Sequence, residues 1–321
     1  MKKGVGNASG KLILMGEHSV VYGKLSVGIP FLAVNMQLSV EETDGPAYVD
    51  SSLYQGELEK IPNYLENLYA VYNSLKRDLG LETKNFYIDI DSTIPIERGL
   101  GSSASLGVAL VRAFEDYVSK KFSQEKFLEY VDQAEKISHG NPSGLDARLV
   151  TLQAPLLYQK NKSITNFYFD TDYYLVVVDS GITGQTKQAV SDVRANYDSP
   201  YYARSSATKK AINYLDDLSH AYVDVLKNDS NNLERLAYII NEAHDALRTL
   251  QTSSPELDEG IKFSLEHGAK AGKLTGGGRG GCYYLLTETK AEATKLKNLI
   301  LANDLGVEAW TIPLSSINMS K

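Results

Sequence analysis

The sequence predicts an α+β protein of two domains, and three observations carry that expectation. Strand-patterned and helix-patterned stretches interleave without the regular strand–helix beat of a doubly wound sheet. The second half is the more helical, and composition shifts near residues 181–200. At 321 residues the chain is long enough for two cores. Domains are therefore expected at 1–185 and 186–321.

The elements follow in order. KLILM and SVVYG, at 11–15 and 19–23, read as strand-like pieces around a GEH turn. In FYIDIDSTI, Phe86, Ile88 and Ile90 share one face and Tyr87, Asp89 and Asp91 the other, the alternation of a half-exposed strand. LGVALVRAFEDYV is helix-patterned. Residues 124–138 carry Phe127, Val131, Ala134 and Ile137 at helical spacing, with Gly140 placed to end the helix. DYYLVVVDSG, 172–181, reads as a buried strand. Ala211, Leu215, Leu218, Tyr222 and Val225 mark one amphipathic helix, and Leu233, Leu236, Ile239, Ala243, Leu247 and Leu250 a second. A glycine-rich loop, KLTGGGRGG, then runs into a strand, followed by a helix over ATKLKNLILANDL and a closing strand, VEAWTIPL.

Composition excludes several classes. A net charge of −7 argues against a polynucleotide-binding surface, which carries a basic stripe. No stretch approaches the roughly 18 apolar residues that span a bilayer. Lys2 and Lys3 resemble the start of a signal peptide, but the apolar run LILM is too short to continue one. The single cysteine, Cys282, fits a reducing compartment and a small buried residue. A soluble, cytoplasmic protein is expected, with no nucleic-acid or membrane partner.

PIERGLGSSAS, 95–105, is the segment with most chemistry in it. Gly99 and Gly101 let the chain turn between a strand and a helix. The first N–H groups of that helix lack intrahelical partners and sit at the positive end of its dipole, a setting that stabilises phosphate. Ser102, Ser103 and Ser105 add hydroxyls for phosphate or magnesium. A serine-capped structural turn accounts for the same residues. Other nucleotide motifs fail: Gly268–Lys273 is one residue short of a P-loop and lacks its hydroxyl residue, and Gly276, Gly278 and Gly281 precede a strand instead of opening a helix.

Four segments together, GKLILMGEHSVVYG at 10–23, PIERGLGSSAS at 95–105, HGNPSGLDA at 139–147 and KLTGGGRGGC at 273–282, resemble the GHMP small-molecule kinases. They fall in the family's order and span nearly the whole chain. GEHSVVYG and HGNPSGLD resemble the family's mevalonate kinase branch in particular. The resemblance implies a ribosomal-protein-S5-like N-terminal domain, a ferredoxin-like C-terminal domain and an active site in the cleft between them. It also implies ATP and Mg2+ as cofactors and mevalonate as the small-molecule substrate, phosphorylated on its C5 hydroxyl. Homodimers are common in the family, but no segment here marks an interface.

The same resemblance distributes roles. Pro95, Glu97, Arg98, Gly99, Leu100, Gly101, Ser102, Ser103, Ala104 and Ser105 form the ATP-phosphate segment. Asp146 is the catalytic base, which removes or orients the acceptor proton; read locally, it caps the helix after it. Lys11 pairs with Asp146 and supports negative charge on the acceptor oxygen; read locally, it is a solvated lysine. Glu135 and Ser103, with Ser102 as the alternative serine, hold magnesium, whereas Glu135 alone reads as a helix-face charge. Glu17, His18, Ser19, Thr186 and Gly277 line the acceptor side, although a histidine in such a turn is as readily structural. Two departures stand out: Gly277 replaces the family's usual alanine, which loosens the loop, and Ala147 follows Asp146 where asparagine is frequent.

Overall fold

A computed structural model describes residues 2–140, 142–162 and 164–316. The chain divides into two compact units that do not follow the halves of the sequence. The first unit holds Met1–Lys11, Phe31–Ile94 and Gly101–Gln153; the second holds Leu12–Pro30, Pro95–Leu100 and Ala154–Lys321. The expected boundary at 185/186 lies inside the second unit, at the start of a helix.

In the first unit, β1 (Lys3–Met15) and β2 (Ser26–Thr43) contribute their outer parts to a sheet. β3 (Tyr48–Ser51), β4 (Gln55–Glu57) and β5 (Asn85–Ser92) complete it in the order β4-β3-β5-β2, with β1 beside β2. β2 runs antiparallel to β5, pairing Leu38 with Ile90 and Val40 with Ile88. All four side chains except Ile90 are buried, so the alternation read in FYIDIDSTI sets which face meets the core.

Helices α1 (Glu66–Asp78), α2 (Ser102–Val118) and α3 (Gln124–His139) pack against one another, and α4 (Leu145–Leu152) packs on α2 and α3. Phe86 and Phe114 meet edge to face at 5.2 Å, and Tyr72 adds a third ring 5.9 Å from Phe114. The α3 boundaries are chemical. Ser123 accepts the backbone N–H of Lys126 at one end, and Gly140, at φ 74°, stops the helix at the other.

The second unit contains β6 (Leu156–Tyr158) and β7 (Thr165–Asn166) beside the inner part of β2. Its main sheet is antiparallel, in the order β11-β8-β10-β9. The chain enters it through β8 (Tyr174–Asp179) and then builds α5 (Thr186–Tyr197), α6 (Tyr202–Asn228), α7 (Leu233–Thr249) and α8 (Pro255–Glu266). It returns through β9 (Ala271–Thr275), β10 (Cys282–Thr287), α9 (Lys290–Ala302) and β11 (Glu308–Pro313). β10 is buried at every position, as a central strand under helices must be, and Cys282 opens it.

SVVYG departs from expectation. Ser19–Tyr22 is a turn of 3₁₀ helix, closed by Gly23 N–H donating to Val20 O at 3.1 Å. Apolar runs this short satisfy strand and helix patterns equally, and the backbone conformation of His18 just before the run decides the matter. Among the described residues, no helix is long and apolar enough to cross a membrane.

Candidate active site

In the first unit the expected residues gather at the start of α2. Gly101 precedes the helix in a left-handed conformation (φ 85°), and no side chain caps it. The N–H groups of Ser102, Ser103 and Ala104 therefore have no side-chain acceptor at their end of the dipole. Gly101 also lacks a Cβ for a second reason: one placed there would stand 2.8 Å from Cγ of Lys11. The glycine that starts the helix thus makes room for the lysine stem to pass.

Lys11 is 1% exposed on β1, and its Nζ lies 2.9 Å from Oδ2 of Asp146. Asp146 sits in the first turn of α4, where the dipole favours a carboxylate, and its side chain keeps 26% exposure. Asp146 does not cap α4, whose N-cap is Gly144 with no side-chain cap; its carboxylate pairs with Lys11 instead. Beside this pair is Glu135, buried at 2%. Burial first, and the Asp146 charge second, push its carboxyl up to about 8, against the pull of Ser103 and Lys11. Among the described residues its Oε1 accepts no hydrogen bond.

The serines divide by role. Ser105 is fully buried, and its hydroxyl lies 2.9 Å from both Ser9 O and Gly101 O, which ties α2 to β1. Ser103 is half-buried, donates to Ser138 Oγ at 2.8 Å and accepts from Asn67 Nδ2 at 3.3 Å. Ser102 is half-buried and Ala104 buried, so Ala104 offers only its backbone. Asn67, a 5% exposed amide on α1, was not legible beforehand; its one signal is a polar residue on the apolar face of an amphipathic helix.

A buried carboxylate oxygen without a donor, near a serine hydroxyl, fits a hard divalent cation such as magnesium. No group of three or more His, Cys, Asp or Glu among the described residues can hold a metal. Protein oxygens would supply part of a shell, and phosphate oxygens and water the remainder.

The second unit gathers the other expected residues. His18 has φ 58° and ψ −44°, and Ser19 N–H donates to Glu17 O at 2.6 Å around it. This is the γ-turn of positive φ, a rare and strained conformation for a residue with a side chain. The imidazole is 5% exposed, and its Nε2 lies 3.0 Å from Gly277 O. A carbonyl only accepts, so Nε2 carries the proton and Nδ1 is left as an acceptor. Burial lowers the pKa of His18 to about 4, with Arg279 and Lys273 adding to the effect and the Gly277 bond opposing it, so the ring is neutral near pH 7.

Ser19 is buried, with its hydroxyl on Gly16 O at 3.2 Å. Glu17 forms an ion pair with Lys273 in which both side chains are fully buried. At Gly277 the loop has no room for a side chain. A Cβ there would lie 2.1 Å from Oγ1 of Thr186, so that threonine occupies the room an alanine would need.

The segment 95–100 is stitched into the same unit. Glu97 O accepts from Gly184 N–H at 2.8 Å, and Arg98 O accepts from Cys282 N–H at 3.1 Å. The Arg98 guanidinium pairs with Asp179 at 2.9 Å and donates to Thr183 Oγ1 and Gly181 O. Pro95 and Gly99 are half-buried, Glu97 is exposed at φ 56°, and Leu100 is fully buried. Arg279 folds back onto Asp192 at 2.5 Å and Gln251 O at 3.1 Å.

The model of the GHMP kinases N terminal domain matches residues 63–153, and that of the GHMP kinases C terminal matches 221–300. Mevalonate kinase of Aeropyrum pernix is 30% identical over 286 residues, which cover 86% of each chain. The crystal structure of mevalonate kinase from methicillin-resistant Staphylococcus aureus is 29% identical, with a TM-score of 0.71 over 98% of this chain and 100% of that one. The L. major mevalonate kinase in complex with R-mevalonate shares the fold, with 24% identity, a TM-score of 0.78 and coverage of 98% and 97%.

Proposed function

Because the chain belongs to the GHMP kinase family, and so to the ATP-dependent kinases of small alcohols, we propose that it transfers the γ-phosphoryl group of ATP to the C5 hydroxyl of mevalonate. The observation that carries this reading is the 2.9 Å Lys11–Asp146 pair, with buried Glu135 and the open end of α2 in the same unit. The N–H groups of Ser102, Ser103 and Ala104 hold phosphate oxygens. The Asp146 carboxylate takes the proton of the acceptor hydroxyl as its oxygen bonds to the γ-phosphorus and the bond to the ADP oxygen breaks. Lys11 holds the Asp146 carboxylate through their ion pair and offsets negative charge on the reacting oxygen.

Glu135 and Ser103 are the residues that would hold magnesium, which when bound neutralises charge on the phosphate oxygens. On the acceptor side, Nδ1 of neutral His18 accepts from a hydroxyl and has no proton to give a carboxylate. Glu17, Ser19, Thr186 and Gly277 shape that side, and 95–100 supports the phosphate turn. The buried cysteine suits a cytoplasmic setting.

A purified-enzyme panel tests the substrate. With ATP and magnesium, mevalonate is expected to give 5-phosphomevalonate, while phosphomevalonate, galactose and homoserine give no phosphorylated product. Reaction of another alcohol with mevalonate inert would overturn the substrate and leave the family in place.

A further inference from the structure

Lys273 has no part in the transfer described above, yet it is 0% exposed. Lysine is almost never so deeply buried without a partner, because removing an ammonium from water is costly. Its Nζ donates to Glu17 Oε1 and, at 2.8 Å, to Leu274 O, and it stands 5.2 Å from the centre of the Tyr284 ring. Each partner has a place in one construction. Glu17 is the residue before His18, and its carbonyl closes the strained γ-turn. Tyr284 donates to Leu14 O at 2.8 Å, and Thr275 to Ile13 O at 3.0 Å, so β9 and β10 grip the chain that leads into the turn. β9, which carries Lys273, runs on to Gly277, whose carbonyl receives the His18 proton.

The turn is thus fastened to one strand and its loop at two points, by charge at Glu17 and by a hydrogen bond at His18. A γ-turn of positive φ around a histidine persists only where its surroundings over-determine it. The Glu17 carboxylate, with no exposed surface, lies within the protein and offers no face to a ligand.

We propose that Lys273 is a positioning residue for the acceptor: its buried ion pair with Glu17 holds the γ-turn that presents the His18 imidazole. Glu17 acts through that pair and not by touching the substrate. The inference rests on the reading of the 16–22 turn as the acceptor side.

The test uses the full chain with Lys273→Met, Glu17→Gln and the double variant. Breaking one partner leaves a buried unpaired charge, so both single variants are expected to melt earlier, and the double variant to regain most of the loss. A purely structural pair predicts that activity recovers with stability. The positioning role predicts that it does not: the double variant keeps an acceptor kcat/KM lowered by about tenfold or more, with the KM for ATP within about threefold of the parent. It also loses, to solvent exchange, the His18 Nε2 proton resonance that the parent retains. A double variant with the parental acceptor KM and a retained His18 resonance overturns the proposal, and this variant decides the matter even where the single variants fail to fold. A parent chain inert toward mevalonate would refute the substrate, while the His18 resonance would still report on the turn.

Discussion

The charged groups of the two units are balanced differently. In the second unit one ammonium, Lys273, meets one carboxylate, Glu17, out of reach of water. In the first, one ammonium, Lys11, faces two carboxylates, Asp146 and Glu135, and an oxygen of the latter has no donor among the described residues. A matched buried pair is poor at doing chemistry and good at fixing geometry. A group in which burial keeps one carboxyl protonated is held at an energetic cost, and it is the arrangement that a cation and a phosphate chain would complete. The difference separates residues that shape a site from those that react in it.

The contrast can be broken most forcefully at Lys11. Lys11→Met removes the one positive charge of the group, and turnover is expected to fall by about 10²–10³-fold in steady-state assays. A fall under about fivefold would mean that the Lys11 ammonium has no catalytic part.

Glu135 sharpens the contrast by its pH dependence. A carboxyl raised from 4.5 to about 8 stays protonated in the fold while the unfolded chain loses its proton. The unfolded state therefore binds fewer protons between those values, and the stability of the ligand-free protein falls as pH rises through that window. Glu135→Gln lacks this penalty. It is expected to equal the parent in stability below pH 4.5 and to exceed it by up to about 3 kcal/mol at pH 7, while losing magnesium-dependent activity. Denaturant unfolding at several pH values reads the first, and a magnesium titration of turnover the second.

A smaller effect is expected at Gly277. Gly277→Ala places a methyl group 2.1 Å from Thr186 Oγ1, overpacking expected to cost about 1–3 kcal/mol in thermal or denaturant unfolding. Adding Thr186→Ala recovers only part, since the Thr186 Cβ is itself 2.5 Å from the new carbon. Smallest is the difference between two serines. Ser103→Ala is expected to raise the magnesium requirement by roughly tenfold. Ser105→Ala leaves that requirement unchanged and costs about 1 kcal/mol of stability through its lost hydrogen bond.

Much of this was legible in the sequence, for local reasons. The period-2 alternation of β5, the period of α3 and its ending at Gly140 are properties of neighbouring residues, and they appear where expected. The approach of Lys11 to Asp146 was legible only through a family resemblance, since nothing local joins residues 135 apart. Three features escaped. The 3₁₀ turn at 19–22 hides in a run that suits either period. The burial of Ser105, beside half-buried Ser103, depends on which side of α2 meets β1. The Lys273–Glu17 pair spans 256 residues, and neither segment announces the other. The division into units was also hidden, because β1 and β2 each pass from one unit to the other without a change in composition.

The central claim is that the Asp146 carboxylate, held by Lys11, is the group that acts on the acceptor proton. Single-turnover phosphorylation of mevalonate by Asp146→Ala, with ATP affinity measured on the same preparation by calorimetry, tests it most directly. Transfer is predicted to slow by about 10²–10⁴-fold, with the Kd for ATP within about threefold of the parent. Transfer at the parental rate from an equally well bound nucleotide would contradict the account.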